Sequence, residues 1–212
     1  TRSNFAYSQS KIDHIAAWVH AATGTNNKLD IAVMKHFVWQ IRRKLYGLEA
    51  QHHMMPILYG KSGGGKSQAV LRLLKPMDEV VLNMDLSIFS DQFKTRLFTK
   101  AYIMFFDEMA KSERADIDRL KNIITSPVVD FRGMHTENLE SAPQNCTFIG
   151  CSNDAVYDKI YDPTSARRYW QINCADKLVW KSINSIDYLA LWKSVDENKE
   201  SPIIPYLSEL KD

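Results

Sequence analysis

The sequence predicts an α/β fold, a central parallel sheet flanked by helices and preceded by an N-terminal helical bundle. Four short apolar runs, "MMPILYG" (54–60), "EVVLNMD" (79–85), "AYIMFFDE" (101–108) and "CTFIGCSN" (146–153), read as buried strands. Between them "KSQAVLRLLK" (66–75) and "ADIDRLKNIIT" (115–125) read as helices. Strand and helix in alternation argue for parallel pairing with helices on the faces of the sheet. Before residue 50 the pattern is that of two helices.

The opening helices follow from spacing. "KIDHIAAWVHAA" (11–22) sets Ile12, Ile15, Ala16, Val19 and His20 on one face, and "TGTNN" breaks the pattern. A second helix over 29–46 places Ile31, Met34, Val38, Ile41 and Leu45 together. Arg42, Arg43 and Lys44 near its end read as a solvated face, with phosphate contact as the alternative. After about residue 175 one amphipathic segment, "SIDYLALWKSV", precedes a proline-containing end. The chain divides into a helical bundle (1–50), a core (51–175) and a helical tail (176–212).

Composition narrows the function. The 212 residues, 45% hydrophobic, can bury a sizeable core. A formal net charge of +2 is not the strongly basic balance of a protein that coats duplex DNA alone. Three cysteines without CxxC spacing, Cys146, Cys151 and Cys174, support neither a zinc site nor a disulfide framework. No run reaches the length of a membrane span, so a cytoplasmic protein without membrane contact is expected. The first residue is Thr1, which suggests a piece of a longer polypeptide.

The stretch "GKSGGGKS", Gly60, Lys61, Ser62, Gly63, Gly64, Gly65, Lys66 and Ser67, fits G-x-x-x-x-G-K-[ST]. Glycines let such a loop curl so that backbone N–H groups point at phosphate oxygens. The helix that follows adds its positive dipole end. Lys66 then reaches the β- and γ-phosphates and the Ser67 hydroxyl ligates Mg²⁺. A chance glycine turn lacks the strand-before, helix-after context seen here. A nucleoside triphosphate site is expected.

Three further pieces complete the constellation. Asp107 and Glu108 end an apolar strand, where Asp107 would hold Mg²⁺ and Glu108 would polarise the attacking water. Asn153 ends another strand and can bond the γ-phosphate or that water. Arg167 and Arg168 follow in "DPTSARRYW" and could stabilise transition-state charge, or simply pair with local carboxylates such as Asp162.

Together these pieces resemble superfamily 3 helicases, in particular the virulence-associated E-like and D5-like helicase domains of phages and mobile elements. "RRYW" (167–170) is similar to the family's arginine-rich segment and "DYLALW" (187–192) to its downstream helix. The resemblance covers roughly residues 54–192. It implies a P-loop NTPase of AAA+-like type, forming a ring, usually a homo-hexamer, that hydrolyses ATP with Mg²⁺ and threads single-stranded DNA. Lys66, Glu108, Asn153 and one of Arg167 or Arg168, acting in trans, become the catalytic set. It also implies a DNA-contacting hairpin between the acid strand and Asn153, with Lys121, Arg132 and His135 as donors and Phe131 or Met134 packing on bases. Asp130, Glu137 and Glu140 in the same interval would repel phosphates. Relatives are fused to primase-polymerases, and a phage or mobile element in a bacterial host is the expected setting.

Other readings remain open at this stage. A helicase loader or protein remodeller shares both strand motifs, a small-molecule kinase shares the P-loop, and a degenerate module would bind without hydrolysis. His52-His53 are read as structural or solvent-exposed, and Trp18, Trp39, Tyr161, Tyr169 and Trp170 as structural.

Overall fold

A computed structural model describes residues 5–86, 88, 97–109, 114–132, 139–155 and 168–211. In chain order come α1 (His14–Thr23), α2 (Lys28–Leu45), β1 (Met55–Tyr59), α3 (Lys66–Leu74), β2 (Val81–Met84), α4 (Leu97–Lys100), β3 (Ile103–Phe106) and α5 (Arg114–Thr125). Then follow β4 (Val128–Arg132), β5 (Leu139–Pro143), β6 (Thr147–Ser152), β7 (Tyr169–Asn173), α6 (Trp180–Ser185) and α7 (Tyr188–Lys193).

Five strands form one parallel sheet in the order β2-β3-β6-β1-β7. Parallel strands end at a common edge, so the chain segments after β1, β3 and β6 emerge side by side. Because β6 lies between β1 and β3, the residue after β6 falls between the P-loop and the acid pair. The remaining two strands, β4 and β5, pair antiparallel as a hairpin, Val128 opposite Pro143 and Arg132 opposite Leu139.

Side chains alternate along the central strands, and each face buries its own core. On one face Leu58, Ile103, Phe105, Ile149, Cys151 and Ile172 meet α1, α2, α3, α6 and α7. On the other Met55, Ile57, Met104, Phe106 and Phe148 meet α4 and α5. The side chains of this second core close over Gly150: a Cβ there would lie 2.3 Å from Met109 Sδ and 2.9 Å from Met55 Cε, so these methionines would have to shift to admit one.

The first face joins three stretches of sequence. Asp13 caps α1 by accepting from the Ala16 N–H at 3.0 Å, and Asn27 caps α2 from the Leu29 N–H at 2.9 Å. Trp192 on α7 is fully buried there and donates its indole N–H to the Leu73 carbonyl at 2.8 Å. The opening helices and the tail thus share one core with the sheet. Ile12 corrects the expected α1 face: it precedes the helix and is 61% exposed. His20 is exposed as well. Leucine-like spacing alone could not tell a helix lead-in from its first turn.

Arg42, Arg43 and Lys44 also differ from expectation, being neither a solvated face nor phosphate ligands. Arg42 is 1% exposed, ion-paired with Glu197, and donates to the carbonyls of Phe5 and Trp192. Arg43 donates to the carbonyls of Glu49 and Glu197 and lies over the Trp39 ring. Lys44 is bound by the Gln144 side chain at 2.9 Å and the Cys146 carbonyl, and burial pulls its pKa down to about 8. Three cations here fasten α2 to the tail and to the start of β6. Among the described residues no helix is long and apolar enough to cross a membrane.

Candidate active site

The P-loop leaves β1 at Gly60 and ends at Gly65, the N-cap of α3. Gly63 and Gly65 take φ values of +75° and +93°, a region closed to most side chains, which is why the curl needs glycine. At Gly65 there is also no space: a Cβ would meet Trp180 Cζ2 at 2.5 Å. The result is a pocket of about 330 Å³ lined by Ser62, Gly63, Gly65, Lys66, Ser67, Gln68, Asp107, Glu108, Cys151 and Asn153.

Three strand ends meet in that pocket. Lys66, 6% exposed, donates to the carbonyls of Gly60 at 2.7 Å and Lys61 at 2.8 Å, and to Asn153 Oδ1 at 2.9 Å. An ammonium has three hydrogens, and these three acceptors fix it at the pocket floor. The Ser67 hydroxyl donates to Asp107 Oδ1 at 2.6 Å, and the same oxygen accepts from the Glu108 backbone N–H at 3.0 Å. Glu108 itself has φ +56°, a strained backbone for a non-glycine residue, and its side chain is exposed at the pocket wall. A hydroxyl and a carboxylate oxygen side by side are hard donors that suit Mg²⁺. Cys151 lies beneath them; burial pushes its thiol up, out of the range where a thiolate forms.

Of the residues singled out in the sequence, the geometry brings together the whole P-loop with Asp107, Glu108 and Asn153. Arg168 lies elsewhere. It precedes β7, and its carbonyl accepts from the Met55 N–H at 2.8 Å, at the edge where β1 begins. At about 3.3 Å per strand residue, the five residues of β1 put it roughly 17 Å from Gly60. Its Nε is buried without a hydrogen-bond partner among the described residues. Arg167 and His135 fall outside the described residues, as do Met134, Glu137 and Tyr161. The backbone of Phe131 and Arg132 lies in β4 of the hairpin, and Lys121 is half-buried on α5. That hairpin springs from the same edge as Arg168, since the Gln144 N–H closes its base on the Pro127 carbonyl at 3.0 Å just before β6 begins. Asp130 and Glu140 are exposed on it.

Of the residues set aside, His52 is exposed and the others are packed in the fold where they are described. His53 is partly buried, and burial, then Lys44 and His52, lower its pKa to about 4. The Tyr169 hydroxyl donates to the Ile117 carbonyl at 2.8 Å, and the Trp170 N–H to Asp30 at 2.7 Å. Two features escaped sequence reading. The run 169–173 was hidden as strand β7 by the arginines before it, and Trp180 gave no signal because it meets Gly65 across 115 positions of chain.

Solved structures share this architecture. The A-form apo structure of the C-terminal region of NrS-1 aligns with a TM-score of 0.68 at 17% identity, covering 99% of this chain and 53% of that one. A second A-form apo structure, of residues 305–718 of that region, aligns at 0.66 and 18%, covering 100% and 49%. A further apo structure of 305–718 aligns at 0.63 and 19%, covering 99% and 53%. The chain therefore spans about half the length of these solved chains. Among curated proteins none matches the sequence. The model of the virulence-associated protein E-like domain matches residues 4–198, and the chain belongs to that family.

Proposed function

We propose that this chain is the ATPase module of a superfamily 3 DNA helicase, translocating on single-stranded DNA during replication of a phage or mobile element. The convergence of Lys66, Ser67, Asp107 and Asn153 on one pocket, from three adjacent strand ends, carries the reading. Backbone N–H groups of Lys61 to Ser67 cradle the phosphates of ATP, and Lys66 exchanges carbonyl acceptors for phosphate oxygens. Ser67 and Asp107 would hold Mg²⁺, which neutralises phosphate charge when bound. Glu108 orients the attacking water and takes its proton, while Asn153 fixes the γ-phosphate without adding charge.

Arg168 is too far from its own pocket to act there. A finger reaching the pocket of a neighbouring subunit suits its place, and with it a ring, in keeping with a homo-hexamer. In this reading the β4–β5 hairpin, at the edge opposite the pocket, is the element that contacts DNA, and Lys121 on α5 joins Arg132 and His135 as the donors. The setting would be the cytoplasm of a bacterial host, within a longer chain that could carry a primase-polymerase.

The exposed Asp130 and Glu140 on that hairpin favour a second reading, a nucleotide switch that loads a helicase or remodels protein. ATP turnover with and without single-stranded DNA, alongside unwinding of a forked duplex, separates the two. The motor reading predicts stimulation and strand separation. Turnover indifferent to DNA, with no unwinding, would leave the switch.

A further inference from the structure

The pocket has a direction. Asn153 and Asp107 sit at the ends of β6 and β3, on one side of the P-loop strand β1, and they engage Lys66 and Ser67 from that side. On the other side of β1 is β7, whose continuation returns over the P-loop: the Cys174 N–H donates to the Tyr59 carbonyl at 2.8 Å, and Lys61 pairs with Asp176 at 2.8 Å. A nucleoside triphosphate is an extended molecule. With its reacting phosphate held among Asp107, Glu108 and Asn153, its base must leave the pocket towards β7.

There it meets Trp180. The ring lies against Gly65, half-buried, with the Arg72 guanidinium 5.9 Å from its centroid. Gly65, Gln68 and Arg72 form one stripe along α3, spaced i, i+3 and i+7. Gln68 already lines the pocket, so the stripe leads from the phosphate site to the ring. Val179 beside it is 48% exposed, extending the apolar surface outwards. The ring packs at the margin of the first-face core, and its indole N–H makes no hydrogen bond among the described residues, so one part of it stays open to a ligand.

We propose that Trp180 is the stacking platform for the base of a purine nucleoside triphosphate, with Arg72 steadying the ring. Purine faces and an indole stack over a large shared area, and such contacts give sizeable affinity with little demand on base identity. The inference rests on the pocket being a triphosphate site.

Calorimetric titration of the chain with ATP, GTP and inorganic tripolyphosphate tests it, because tripolyphosphate has no base. In the unaltered chain ATP and GTP should bind more tightly than tripolyphosphate. Trp180→Ala should weaken ATP and GTP by about tenfold and leave tripolyphosphate unchanged. Trp180→Phe should restore most of the loss, and Arg72→Ala, a surface change that spares the fold, should cost ATP about threefold. Equal weakening of ATP and tripolyphosphate in Trp180→Ala would overturn the proposal, making the ring a support for the loop. Unchanged ATP binding would overturn it too, while leaving the phosphate site intact. Failure of the unaltered chain to bind either ligand would overturn both, and the Lys66→Ala variant, which should lose both ligands, marks that case.

Discussion

The Ser67 hydroxyl and the Asp107 carboxylate meet at 2.6 Å, although 40 residues separate them in the chain. Their contact ties the first turn of α3 to the end of β3 and sets two hard oxygen donors beside each other. Asp107→Asn keeps the shape but loses the charge and one acceptor. Mg²⁺-dependent ATP binding should fall at least tenfold, while thermal stability changes little because the pair is at the pocket surface. Titrating ATP with and without Mg²⁺ on both proteins checks this. Equal Mg²⁺ dependence in the two would remove Asp107 from the metal site.

Arg168 yields a test of subunit geometry. If it serves a neighbour's pocket, Arg168→Ala and Lys66→Ala should each abolish turnover, by about a thousandfold or more for the arginine. Mixing them equally restores complete interfaces, because one variant supplies the pocket and the other the finger. Random assembly into a ring would recover about a quarter of the activity. No recovery in mixtures that co-assemble would confine Arg168 to a structural role.

The Arg42–Glu197 pair joins α2 to the tail where almost no water reaches, with side chains 2% and 9% exposed. Removing one partner leaves the other buried and uncompensated. Glu197→Ala should therefore destabilise the fold by about 3–5 kcal/mol. Replacing both with apolar residues, Arg42→Met with Glu197→Leu, should recover much of that. Urea denaturation of the three proteins measures the difference.

Acid stability should depend on His36. Its Nε2 donates to the His52 carbonyl at 2.7 Å, which leaves Nδ1 to accept from the Ser201 hydroxyl at 2.8 Å. That arrangement needs the neutral ring, and burial lowers its pKa from 6.5 to about 3. Below about pH 6.5 the unfolded chain thus binds a proton the native state refuses. Stability is full above that pH and declines as pH falls towards the folded value, with a slope of about 1.4 kcal/mol per pH unit from this group. His53, lowered to about 4 and partly exposed, adds a smaller decline in the same direction. Denaturation at pH 7, 6 and 5 should show the slope, and His36→Asn should flatten it.

The sheet was legible because parallel strands buried on both faces leave long apolar runs, and Met55–Tyr59, Ile103–Phe106 and Thr147–Ser152 all fall within the predicted ones. The pocket was legible because its parts sit at strand ends with fixed spacing. What escaped detection depends on pairing between distant segments. Nothing local marks Arg42 as buried, since its ion-pair partner Glu197 lies 155 positions on and its carbonyl acceptors, Phe5 and Trp192, are also distant in the chain. Tyr169 to Asn173 become a strand by lying beside β1, and Trp180 gains its place by lying against Gly65. Periodicity reports a segment's own faces. It does not report what covers them.

In the proposed function the pocket holds ATP through Lys66 and cleaves it through Glu108. Binding and hydrolysis of ATP, measured separately on the unaltered chain, Lys66→Ala and Glu108→Gln, distinguish these two roles. Lys66→Ala should lose binding, and Glu108→Gln should bind ATP as tightly as the unaltered chain while its turnover falls about a hundredfold or more. Binding retained in Lys66→Ala, or turnover unchanged in Glu108→Gln, would contradict that function.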